Sequence, residues 1–144
     1  MIRRILFAAV LLLSACGGER TINGFSLACR TSWGMFDGIF CEAPLSGGML
    51  LYYTEFSNEP TIHWGNKEIG HAGVIPQNSE ATVRAVGFNE HYVVAEDTNG
   101  LLYLVEIKSP SDYPEVQGPF PVADFHSRFV SLALPELRDV PRPN

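Results

Sequence analysis

Four histidines, three cysteines and sixteen acidic side chains are the groups in this 144-residue chain that could carry acid–base, nucleophilic or metal chemistry. Histidine titrates nearest neutral pH and is the commonest metal ligand. His63, His71, His91 and His126 fall in four separate segments, none in a His-x-x-x-His or His-Glu-x-x-His pattern. Zinc sites draw on such short spacings, so no metal site and no cofactor are expected. Glu90, Glu96, Asp97 and Glu106 are close along the chain, and two carboxylates can divide acid and base roles when one is desolvated. Their places at hairpin turns predict solvated carboxylates instead. Ser46 precedes Gly47-Gly48 without the Gly-x-Ser-x-Gly elbow that exposes a nucleophile, and neither Ser32 nor Ser127 stands in such an elbow. Gly65-Asn66-Lys67 lacks the spacing of a phosphate-cradling loop and reads as a turn. No catalytic residue is assigned.

The elements that would position these groups read mainly as strands. Residues 25–30 and 38–42 are short extended candidates, residues 49–56 are rich in strand-favouring aromatics after the Ser46-Gly47-Gly48 turn, and residues 61–64 end at Gly65-Asn66. Residues 81–88, 91–96 and 101–108 form a meander, with Asn99-Gly100 placed for a type I′ turn. In the last of these, Leu101, Tyr103, Val105 and Ile107 face one side and Leu102, Leu104 and Glu106 the other, so both faces need a cover. Pro121 suits the first turn of a helix, and Val122, Phe125, Phe129 and Leu132 follow with helical spacing, before Pro135 stops it. The fold expected is mainly β (α+β), an antiparallel meander sheet with one C-terminal α-helix packed on it. Residues 24–137 make a single domain, and residues 138–144, with Pro141 and Pro143, read as a disordered tail. From Gly87-Phe88-Asn89 through Tyr92-Val93-Val94-Ala95, Tyr103-Leu104-Val105 and Lys108 to Gly118-Pro119-Phe120 and Phe125, the chain resembles a group of small bacterial secreted and lipoprotein domains without an assigned function. That resemblance implies the meander and helix, and no catalytic residues.

The N-terminus has a different character. Arg3 and Arg4 precede the apolar residues 5–13, and Leu13-Ser14-Ala15 sets small residues directly before Cys16. The uncharged run of eleven residues, 5–15, is shorter than the roughly 20 a spanning helix needs. It resembles the lipobox of bacterial lipoproteins. The resemblance implies a signal peptide over residues 1–15, cleavage before Cys16, and acyl chains, palmitate among them, on Cys16. Each buried CH₂ contributes about 0.8 kcal/mol, so two or three chains anchor the protein permanently. Residues 16–23 then form a lipidated tether, in which the seven after Cys16 reach about 25 Å at most. Gly17, where inner-membrane lipoproteins carry aspartate, implies the outer membrane, facing the periplasm.

Removing residues 1–15 leaves 129 of 144 residues and, with Arg3 and Arg4 gone, takes the formal net charge from −6 to −8. That balance excludes a nucleic-acid partner, which needs clustered Lys and Arg. It allows a basic protein partner. In the oxidising envelope the remaining Cys29 and Cys41 are expected to form a structural disulfide worth about 3 kcal/mol. Trp33, Met35 and Phe36 lie inside that closed loop, where they either meet a partner or complete a small core. The function expected is a non-enzymatic, protein-binding role at the outer membrane, as an envelope accessory or an immunity or inhibitor lipoprotein. A small envelope hydrolase or ligand-binding lipoprotein is the alternative.

Overall fold

In the computed structural model, residues 18–32, 38–54, 58–66, 70–77, 80–109 and 111–143 are described. Cys16, the signal residues before it, and Trp33, Met35 and Phe36 lie outside them. The two-residue period of a strand with one face on a core is plainest in Met49–Tyr53. There Met49, Leu51 and Tyr53 are buried, while Leu50 and Tyr52 between them are only half-buried. Among the described residues the strands make two antiparallel sheets. The first runs in chain order through β1 (Glu19–Ile22), β2 (Phe25–Ser32), β3 (Gly38–Pro44), β4 (Met49–Tyr53), β5 (Thr61–Asn66) and β6 (Gly70–Ile75). The second contains β7 (Val83–Phe88), β8 (Tyr92–Asp97), β9 (Leu102–Glu106), β10 (Val116–Phe120) and β11 (Arg138–Asp139), in the order β10-β9-β8-β7-β11. The single described helix is α1 (Val122–Phe129). The expected fold, mainly β and antiparallel with one C-terminal helix, is the one observed, with the strands divided between two sheets.

One apolar cluster fills the space between the sheets: Phe25, Leu51, Tyr53 and Ile62 from the first meet Val86, Val93, Tyr103 and Val105 from the second. On the opposite face of the second sheet, Val94, Leu102 and Leu104 pack beneath Phe125 of α1. Strand β9 is therefore covered on both sides, as its sequence requires. The Cys29–Cys41 disulfide is present, joining residues directly opposite in the β2–β3 register, with Cα atoms 4.0 Å apart.

Four details depart from the sequence-based expectation. Residues 19–22, expected in the tether, form β1 and pair with β2 from Glu19↔Ala28 to Ile22↔Phe25. Residues 138–144, expected as a disordered tail, begin as β11, paired with β7 through Arg138↔Val86 and Asp139↔Ala85. Beyond it the Val140 amide donates to the Arg84 carbonyl and the buried Tyr53 hydroxyl donates to the Pro141 carbonyl. The turn after β8 is not type I′, since Gly100 has a φ of 78° and Asn99 does not share the positive region. Asp97 organises it instead. Finally, α1 ends at Phe129, so Leu132 of the expected stripe follows the helix and still packs on Phe125.

Candidate functional site

Helix α1 is short because Pro121 stands at its start as the N-cap, without a side-chain cap, and the chain turns again at Val130. Its contact with the sheet depends on three rings. Phe125 lies 5.0 Å from Phe129 and 6.4 Å from Phe120, and Phe129 lies 5.7 Å from Phe120, centroid to centroid. The Arg128 guanidinium sits 5.0 Å over the Phe120 ring, a cation–π contact that holds this edge of the helix. After α1 the chain returns across the sheet through Leu132, Leu134 and Leu137, which pack on the same cluster.

Between α1, this returning segment and strands β8 and β9 lies an open groove of about 650 Å³. Its floor is Val94 and Leu102, and its walls include Phe125, Phe129, Leu132 and Leu137. Apolar side chains also stand at its open edge, with Val122 48% and Val130 83% exposed. Three titratable groups line it, Glu96, His126 and Glu136. Glu96 is ion-paired with Arg84 on the neighbouring strand. His126 and Glu136 are exposed to solvent. Glu136 has no ion-pair partner among the described residues. The wall formed by residues 135–136 is held close by Gly87, where a Cβ would lie 2.5 Å from the Glu136 carbonyl oxygen. Only glycine lets the segment approach β7 so closely.

Among the described residues, the groups singled out from the sequence do not converge. Glu90 and Glu106 are exposed at one end of the meander, and Glu96 and Asp97 stand at the other end of β8. Asp97, expected to be solvated, is 1% exposed. Its Oδ1 accepts the amides of Asn99 at 2.8 Å and Leu101 at 3.0 Å, and its Oδ2 accepts the Tyr103 hydroxyl at 3.1 Å. Burial, with the Asp97 charge and hydrogen bond adding to it, pushes the Tyr103 hydroxyl up to about 12. The acid is spent on holding a turn. His63 is on β5, with Nε2 2.9 Å from the Thr61 hydroxyl and its ring 4.6 Å from Tyr52. His91 is exposed in the β7–β8 turn, and His71 is on β6. Among the described residues no three His, Cys, Asp or Glu side chains gather as metal ligands. No described helix is long and apolar enough to cross a membrane.

A second, smaller cleft of about 90 Å³ opens beside Gly47, Lys108 and Tyr113. Nearby, the buried Trp64 Nε1 has no hydrogen-bond acceptor among the described residues, and its ring meets Tyr113 edge-on at 5.2 Å. The groove under α1 was not legible in the sequence as a site, because the same Phe and Leu residues read there as core. Its one sequence signal is Val130, Leu134 and Leu137, apolar residues that the expected stripe of Val122, Phe125, Phe129 and Leu132 leaves out. Comparisons with protein-family models, curated proteins and solved structures give no match for this chain.

Proposed function

We propose that this chain is a lipid-anchored protein of the bacterial outer membrane that acts in the periplasm by holding a protein partner rather than by catalysing a reaction. The observation that carries the reading is the groove under α1, apolar on its floor and walls and bordered by exposed Val122 and Val130. Exposed apolar side chains around a concavity are what a protein-contact site presents. The Glu136 carboxylate on its wall, with the net negative charge of the chain, suits a partner segment whose apolar side chains are flanked by Lys or Arg. The lipobox-like Leu13-Ser14-Ala15-Cys16 supports the anchor.

The groove volume also lies in the range of small-molecule sites, about 300–1,000 Å³, and that observation supports a ligand-binding lipoprotein as the second reading. The open, apolar edge favours a protein segment. A photo-crosslinking amino acid at Val130, in the full chain expressed in its own envelope, separates the two. The protein reading expects one discrete protein adduct that weakens in a Glu136→Lys background. Absence of any protein adduct, together with a small apolar molecule retained by the purified chain, would transfer the groove to the second reading.

A further inference from the structure

We infer that the end of the β2–β3 ribbon is a second, non-covalent contact with the bilayer, seated in the lipid interface beside the acylated Cys16. This rests on the proposed lipidation of Cys16 and adds to it an orientation.

Strand register fixes the geometry of this end of the sheet. Glu19, the first residue of β1, pairs with Ala28, which pairs with Glu42, so these three residues form one row across the sheet. From that row β2 continues through Cys29, Arg30, Thr31 and Ser32, paired in turn with Cys41, Phe40, Ile39 and Gly38. Strand β1 has no residues opposite this extension. Four residues at about 3.3 Å each carry the ribbon roughly 13 Å past Glu19. Cys16 is three residues before Glu19, so its Cα lies at most about 11 Å from that of Glu19. The acyl chains cannot be in the membrane unless the membrane surface comes within that radius of the Glu19 row. If the surface lies across the end of the sheet, the ribbon reaches it first. If it lies along the β1 edge, β2 is the next strand, about 5 Å further in, and the ribbon lies along the interface.

The chemistry of this end suits an interface rather than water. Ile39 is 56% exposed, and across the ribbon the exposed Arg30 is ion-paired with Glu42 at 2.7 Å. Phe40 stacks with Tyr52 at 6.4 Å, facing away from the core between the sheets. The pairing of Arg30 with Glu42 leaves these two residues without net charge to be repelled by anionic headgroups. The exposed Ile39 on one face of the ribbon and the Phe40–Tyr52 pair on the other match the amphipathic character of the headgroup zone. The disulfide at Cys29–Cys41 fixes the ribbon where it leaves the sheet.

The test places an indole at the ribbon end and measures its depth. The full lipidated chain carrying Trp33→Phe and Ile39→Trp is reconstituted into phosphatidylethanolamine and phosphatidylglycerol vesicles, with and without bromine on the upper acyl chain. The Trp33→Phe chain alone supplies the contribution of Trp64. The inference expects the added indole to lose most of its emission to the brominated lipid. A chain that floats with the vesicles, carries acyl mass on Cys16 and keeps the added emission would overturn the ribbon contact and leave the anchor standing. A chain without acyl mass that stays in solution would overturn the anchor and the ribbon contact with it. Should Ile39→Trp fail to fold, a photo-crosslinking residue at Ile39 that yields no phospholipid adduct in vesicles has the same overturning force.

Discussion

Replacing Asp97 by alanine tests whether one buried carboxylate organises the second sheet. Its two oxygens accept three hydrogen bonds, from the Asn99 and Leu101 amides and from the Tyr103 hydroxyl. The two amides lie in a turn that reaches solvent, so losing a charged acceptor there costs each of them about 1 kcal/mol. The Tyr103 hydroxyl is on a side chain 1% exposed, and stripping its partner costs about 1–2 kcal/mol more. Asp97→Ala should therefore destabilise the domain by about 3–4 kcal/mol, at the upper end of single-residue effects. Asp97→Asn keeps an acceptor for both amides and presents Nδ2 to the Tyr103 oxygen, so about 1–2 kcal/mol is expected. Urea unfolding followed by tryptophan emission measures both, and the slope with denaturant should be unchanged. An alanine variant losing under about 1 kcal/mol, or an asparagine variant as damaged as the alanine one, would refute the assignment of the carboxylate as the turn's organiser.

The same tyrosine makes the fold sensitive to alkaline pH. Tyr103 ionises near 10.0 when unfolded and at about 12 when folded. Its contribution is complete below pH 10 and is lost as pH rises towards 12, by at most about 3 kcal/mol. The buried Tyr53, also raised, acts in the same direction, and thermal unfolding scanned between pH 9 and 12 should fall steadily. Gly87→Ala places a methyl against the Glu136 carbonyl, where a Cβ would be 2.5 Å away. It should cost about 1–3 kcal/mol and raise hydrogen exchange in residues 132–137 before the rest of the sheet; unchanged exchange there would contradict the close approach.

Strands interior to the two sheets were legible in the sequence, and the edge strands were not. The first sheet is bounded by β1 and β6 and the second by β10 and β11. An interior strand must satisfy two ladders and bury a face, which selects alternating Val, Leu, Ile and aromatic side chains, as in β4 and β9. An edge strand makes one ladder, and sequences there carry charge, glycine or proline. Gly70-His71-Ala72-Gly73 in β6 and Gly118-Pro119 in β10 look like turns for that reason, and Glu19-Arg20-Thr21 in β1 looks like tether. Asp97 was misread on the same footing. Beside Asn99-Gly100 it has the composition of a solvated turn, and its burial follows from Tyr103, six residues later, which no local pattern reports. The groove under α1 was invisible because composition cannot distinguish a phenylalanine that closes a core from one that lines its open side.

The C-terminal segment joins these observations. After forming a wall of the groove with Leu132, Leu134 and Leu137, it becomes β11 on the second sheet, and the Arg138 guanidinium sits 5.5 Å from the Phe25 ring and 5.7 Å from the Phe88 ring. Phe25 belongs to the first sheet and Phe88 to the second, so one side chain spans both. The Asn23 side chain donates to the Asp139 carbonyl, and Tyr53 donates to that of Pro141. Residues that read as a tail are thus fastened to both sheets, and the groove wall just before them starts from a fixed end. A wall held in this way loses little freedom when a partner docks, so more of the apolar contact energy remains as affinity. Cutting the chain after Leu137 would remove Arg138, Asp139 and the Pro141 carbonyl together, and the protein adduct proposed for Val130 should weaken while hydrogen exchange shows the interior strands β2–β5 and β7–β9 keeping their pairing.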